Sequence, residues 1–171
     1  MHLKRAASTL CAAGSAAVLA IFVAGSANAT TIGYSHAWNN SNSVDQCLAL
    51  ASSTLGNATV MWTCDSESGQ NWLPYDTTEG TDTLENGVDE GSACLDGMNY
   101  GGGSHVYVEP CDGSSSQQWA PIWDGSLAEW RNASTKLCLA VAGGSTSNGA
   151  EVITWACNAT PDELWGGSLG D

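Results

Sequence analysis

Between Cys94 and Trp119 the chain reads CLDGMNYGGGSHVYVEPCDGSSSQQW. In outline this stretch occurs three times. Cys111 follows Cys94 by seventeen residues, and Trp119 follows Cys111 by eight. Upstream, Cys47 and Cys64 are again seventeen apart and Trp72 lies eight further on. Downstream, Cys138 and Cys157 are nineteen apart and Trp165 again lies eight beyond. A leucine follows the first cysteine each time: Leu48, Leu95 and Leu139. Each unit closes on a similar tripeptide: Gln70-Asn71-Trp72, Gln117-Gln118-Trp119 and Glu163-Leu164-Trp165. Agreement at so many positions marks an internal repeat.

The repeat also selects a cysteine pairing. Of the seven cysteines, Cys11 lies in an N-terminal targeting segment and six remain. Six cysteines allow fifteen pairings, but equivalent units must pair equivalently. The expected bonds are therefore Cys47–Cys64, Cys94–Cys111 and Cys138–Cys157. Each closes a loop of under twenty residues, worth about 3 kcal/mol if it acts through chain entropy.

The targeting segment has Lys4 and Arg5 at its start, an uncharged stretch from Ala6, and Ala27-Asn28-Ala29 before the expected cut. Its apolar core, from Ala16 to Ala24, is far shorter than the ~20 residues that cross a bilayer, so residues 1–29 read as a cleaved signal peptide. The product, Thr30 to Asp171, has 142 residues, the length of one domain, with units at about 30–75, 76–122 and 123–171. Secretion to an oxidising, extracellular compartment suits the even cysteine set. After cleavage eighteen acids face only Arg131 and Lys136, a net charge of −16. Such a chain repels nucleic acid and anionic membrane surfaces.

Local patterning is β throughout. Val106-Tyr107-Val108-Glu109 alternates apolar and polar residues, Val152-Ile153-Thr154-Trp155 is β-branched and aromatic, and Thr59-Val60-Met61-Trp62 is the equivalent stretch of the first unit. Turn-forming clusters such as Gly101-Gly102-Gly103-Ser104 and Asp124-Gly125 separate these runs. The acidic segment from Asp76 to Ser92 reads as a long surface loop with a short strand near Leu84. Three short β units cannot each bury a core, so they must share one, with Trp72, Trp119 and Trp165 inside it.

Cys-Leu, continued as Cys-Leu-Asp in the second unit, a second cysteine about seventeen residues on, and a closing Gln-x-Trp, with Glu for Gln in the third unit, form a repeat over Ser43 to Trp165 that resembles the ricin B-type lectin family. The resemblance implies an all-β chain, a β-trefoil of three pseudo-symmetric repeats in which three hairpins cap a six-stranded barrel. It also implies a glycan or polysaccharide partner, held in up to one shallow site per unit. In that family an Asp two residues after the first cysteine accepts hydroxyl hydrogen bonds. An aromatic ring two before the second cysteine covers the sugar's C–H face, and a polar side chain three before the Trp adds contacts.

Carried over residue by residue, the recognition set thins. The first unit has Trp62 as its aromatic but Ala49 in place of the acid and Gly69 at the polar position. The third has Trp155 but Ala140. The second keeps Asp96, has Glu109 at the aromatic position with Tyr107 on the same strand face, and has Ser116 beside Gln117. The expected carbohydrate-binding residues are thus Asp96, Tyr107, Glu109, Ser116 and Gln117, with Trp62 and Trp155 in the outer units. Tyr100 and His105 offer a replacement surface nearby. The competing role for Asp96 is to hold a turn by bonding backbone amides; for the two tryptophans it is partial burial on the flank.

No His-Glu-x-x-His pair or calcium loop occurs. His36 and His105 stand without neighbours at ligand spacing. No cofactor, metal or catalysis is expected. Two functions remain: a non-enzymatic sugar-binding module with its best site in the second unit, and a degenerate trefoil that binds or inhibits an extracellular protein. Asn-x-Ser/Thr acceptor sequences, among them Asn57 and Asn132, bear on the protein only if its source glycosylates.

Overall fold

The computed structural model describes residues 34–38 and 45–169, apart from 66, 78–79, 90–92 and 99. The expected signal peptide, its cleavage site and Cys11 lie outside the described residues. Those described contain strands and short 3-10 turns.

Six strands form a closed ring. They are β1 (Tyr34–Trp38), β4 (Trp72–Asp76), β5 (Asp82–Asn86), β9 (Gln118–Asp124), β10 (Leu127–Asn132) and β13 (Gly166–Leu169). Antiparallel pairing runs from β1 to β4, β4 to β5, β5 to β9 and β9 to β10. The bridge of Ala128 to Trp165 and the pairing of β13 with β1 complete the circuit. Closure is how such a sheet disposes of its edges.

Three hairpins cap one end. They pair β2 (Gln46–Leu50) with β3 (Asn57–Thr63), β6 (Ala93–Asp96) with β8 (Tyr107–Pro110), and β11 (Cys138–Val141) with β12 (Val152–Trp155). The hairpins also join one another. β3 pairs with β8, β12 with the short β7 (Ser104–His105), and Val60 bridges Glu151. Each hairpin tip thereby reaches another unit at the same place. Gly56 donates its N–H to the carbonyl of Val108, Gly103 to Thr154 and Gly149 to Met61, at 2.7, 2.7 and 2.8 Å.

The core follows the repeat. Leu48, Leu95 and Leu139, with Trp72, Trp119 and Trp165, are buried together with Met61, Val106, Val108 and Val152. Each Trp indole donates from Nε1 to the carbonyl of the leucine after its unit's first cysteine: Leu48, Leu95 and Leu139, at 2.9, 2.9 and 2.8 Å. A buried indole N–H needs such a partner. The three cystines are Cys47–Cys64, Cys94–Cys111 and Cys138–Cys157, with Cα separations of 5.1, 5.0 and 5.0 Å.

One sequence expectation needs correcting. The strand expected near Leu84 is present, but it is not part of a surface loop. Asp82–Asn86 is a central barrel strand, paired with β4, β6 and β9. Its buried residues are Leu84 and Asn86, whose Nδ2 donates to the Gly69 carbonyl. A strand with one apolar inward residue carries almost no periodic signal.

The residue two before each repeat tryptophan has a structural task that its sequence neighbours hide. Gln70 accepts the Asp65 N–H through Oε1 and donates from Nε2 to the Thr63 carbonyl, both at 2.9 Å. Gln117 does the same with Asp112 and Pro110, again at 2.9 Å. These bonds hold the chain as it leaves the second cysteine. In the third unit Glu163 replaces glutamine. Its Oε2 accepts the Asn158 N–H at 2.8 Å, while Oε1 is buried without a hydrogen-bond partner.

Burial pushes the Glu163 carboxyl above its ordinary range; the Asn158 N–H pulls it back, and contact with Glu129 and the charge of Asp162 push it up again. Asp82 is likewise raised, from 3.8 to about 6, by burial first and then by Asp76 opposite it on β4. A carboxyl raised on folding binds its proton more tightly in the native state. Its favourable contribution is complete below the unfolded value and is lost as pH rises through the folded one. Stability is therefore expected to decline from about pH 4 upward through about pH 6. Glu163→Gln restores the missing donor. It is expected to add about 1 kcal/mol near neutrality and, with Asp82→Asn, to flatten that decline. Urea melts across the pH range check this; a slope untouched by both changes contradicts it.

Candidate functional site

The outer flank of each hairpin is where the second-cysteine strand, the first-cysteine strand and the tip of another unit meet. Strand register fixes what stands there. Cys47, Cys94 and Cys138 lie opposite Trp62, Glu109 and Trp155, and two residues on Ala49, Asp96 and Ala140 lie opposite Val60, Tyr107 and Ile153. Side chains two apart on a strand share a face, so the acid and aromatic positions of each unit belong together.

In the second unit Asp96 is largely buried and paired with half-buried Tyr107, and Glu109 follows on the same face. Oδ1 of Asp96 accepts the Met98 N–H at 2.7 Å. The carboxylate thus holds its turn and is itself held in one orientation. The Gly97 N–H, next along, donates to the Ser116 carbonyl at 2.9 Å, which brings Ser116 to the site through its backbone. The Ser116 hydroxyl is buried against that of Ser114. Gln117 is fully engaged with Asp112 and Pro110, as Gln70 is with its own partners in the first unit, so its place here is structural.

His105 lies beside the pair of Asp96 and Tyr107. The His105 ring meets the edge of Tyr107 with centroids 6.2 Å apart, and its Nε2 is 3.8 Å from Glu151 Oε1. Tyr100 is 59% exposed.

The outer units present their tryptophans differently. Trp62 and Trp155 are 45% and 47% exposed, so neither is a core residue. One side of Trp155 is occupied. A Cβ added to Gly103 would stand 3.4 Å from the ring's Cζ3, and one added to Gly102 3.6 Å from Cε3. The Gly-rich run therefore packs on that ring, and at Gly103 a φ of +86° disfavours other residues as well. Trp62 instead borders a pocket of about 360 Å³, whose lining includes Ala49, Val60, Asp65, Glu67 and, from the third unit, Gly149. Asp65 and Glu67 have no place in the family pattern, because they follow the second cysteine rather than the first. Two acids within three residues of Cys64 were the available signal.

Two further groupings of acid and sulfur, Glu85 with Cys94 and Cys111 and Glu129 with Cys138 and Cys157, are cystines beside a carboxylate. A cystine lacks the thiolate that ligates metals. Asn132, an acceptor sequence for glycosylation, is fully buried, donating from Nδ2 to the Ser116 carbonyl at 2.7 Å. Glycosylation needs a surface amide, so Asn132 is not an acceptor in the folded protein.

Three equivalent hairpins on a closed six-stranded barrel, each with its own cystine, define a β-trefoil. The ricin-type beta-trefoil lectin domain matches residues 39–165, and the chain belongs to that family. Among solved structures, the chain is similar to the designed 3-fold symmetric protein ThreeFoil, at 21% identity and a TM-score of 0.69, over 76% of this chain and 94% of that one. It is similar to the hemolytic lectin CEL-III, at 25% identity and a TM-score of 0.65, over 80% of this chain and 30% of that one. It is also similar to the Polyporus squamosus lectin, solved with the human-type influenza-binding epitope Neu5Aca2-6Galb1-4GlcNAc, at 14% identity and a TM-score of 0.61, over 76% and 47%. The chain thus spans less than half the length of either natural lectin. No curated protein matches the chain in sequence.

Proposed function

We propose that the protein is a secreted carbohydrate-binding module without enzymatic activity, and that Asp96 and Tyr107 form its leading site. The observation that carries this is their cross-strand pairing, with the Asp96 carboxylate fixed by the Met98 N–H. A preoriented carboxylate binds sugar hydroxyls through charge-assisted bonds without a further ordering cost. Tyr107 beside it supplies ring surface for C–H groups, with Glu109 and the Ser116 turn at the margin. Family membership supports a glycan or polysaccharide partner. Trp62 and Trp155 are the exposed rings of the weaker outer sites.

A screen of the full chain against immobilised glycans and insoluble polysaccharides tests this reading. Asp96→Ala is expected to weaken binding at least about tenfold, the loss of one charged hydrogen bond at about 1.5–3 kcal/mol. Absence of any glycan ligand, or binding indifferent to that change, counts against it. A second reading, a trefoil that binds or inhibits an extracellular protein, is favoured by Ala49 and Ala140 and by the scarcity of bases. It calls for salt-sensitive capture of a basic protein partner.

A further inference from the structure

We propose that the pocket beside Trp62 takes a protonated amino sugar. The proposal rests on the reading of the protein as a carbohydrate-binding module and names a ligand class for the outer site of the first unit. At about 360 Å³ the pocket falls in the lower part of the ~300–1,000 Å³ range of small-molecule sites. Its floor is apolar, with Ala49 and Val60, and Ala49 leaves open the space that an aspartate would fill. Trp62 forms a wall with nearly half of its surface exposed, and Asp65 and Glu67 bring two carboxylates to the lining.

Comparison of the three units isolates what is peculiar to the first. At the ring position stand Trp62, Glu109 and Trp155. One residue past the second cysteine stand Asp65, Asp112 and Asn158, and three past it Glu67, Ser114 and Thr160. Only the first unit combines an aromatic wall with two carboxylates. The backbone plan is shared, since Asp65, Asp112 and Asn158 each accept an N–H from the residue two further on. Glu67 is therefore an added charge on a common scaffold. It leads into a 3-10 turn, and its side chain makes no capping bond there.

A neutral sugar does not require two carboxylates in the same pocket as an indole. An ammonium is served by both: it is attracted to the indole face and paired by the acids at once. Among the described residues, no lysine or arginine lines the pocket to neutralise those acids. The surplus of acid over base in the chain draws cations toward it. A pyranose bearing an ammonium presents both the C–H face and the charge that this wall and rim accept.

The test titrates the full chain with glucosamine oligomers, with N-acetylglucosamine oligomers of equal length, and with a lysine oligomer of equal charge, followed by calorimetry. The glucosamine oligomer is expected to bind at least about tenfold more tightly than either comparator. Trp62→Ala and Glu67→Gln are each expected to lower that affinity about fivefold or more, while Trp123→Ala, an exposed ring outside the pocket, leaves it unchanged. Equal affinity for the acetylated form, equal affinity for the lysine oligomer, or indifference to Trp62→Ala would overturn the proposal. If a neutral glycan still binds in an Asp96-dependent way, the module reading survives that failure; if no sugar of any kind binds, both fall.

Discussion

Trp119→Ala is expected to cost about 3–5 kcal/mol of stability, the range for removing a large buried aromatic. Trp119 has no exposed surface, and it joins the second barrel strand pair to the second hairpin through its bond to the Leu95 carbonyl. The change therefore opens a cavity in the shared core and removes that carbonyl's indole donor. Such a loss takes up a large part of the ~5–15 kcal/mol by which folded domains exceed their unfolded chains. Trp123→Ala, four residues along the same strand, is the control. Its ring is 59% exposed and touches Trp130 edge-on at 6.5 Å, and its removal should cost under about 1 kcal/mol. Urea melts at constant m-value measure both. Similar costs for the two would contradict the placement of the threefold Trp set in a common core.

Reducing the cystines is the second large effect. Cysteine separations of 17, 17 and 19 residues each restrain the unfolded chain by about 3 kcal/mol in the entropic account. Together they match the whole margin of an ordinary domain. The fully reduced protein is expected to lose its cooperative melt at room temperature. Replacing one cystine at a time by a pair of serines should cost roughly a third of that total each, with no unit privileged, because the three bonds are equivalent. Tryptophan fluorescence with and without reductant reads the outcome; a reduced chain that melts as before contradicts it.

The frame is legible in the sequence because it repeats. Cysteine spacing, the leucine after each first cysteine and the Gln-x-Trp endings locate three hairpins and their cystines, and the structure has them in those places. Where a segment has no counterpart signal, the pattern is silent. β5 shows in the sequence only as a short strand near Leu84, because Leu84 is the one apolar side chain in Asp82–Asn86. Gln117 stands next to the family's polar position, yet its amide closes a turn that Gln70 closes in the same way. The pocket at Trp62 has no acid at position 49, where the family pattern puts one. Its concavity comes from the small Ala49, from acids that follow Cys64, and from Gly149 at the tip of the third hairpin. A contact between two units leaves no mark in the sequence of either.

The central claim is that the second hairpin flank binds sugar through Asp96. The most direct measurement is an amide shift titration of the labelled full chain with the strongest glycan from the screen. The account predicts saturable shifts concentrated at Asp96 to Met98 and at His105 to Glu109, absent from Asp96→Ala. Shifts confined to another surface of the barrel, or shifts that persist in that variant, would contradict it.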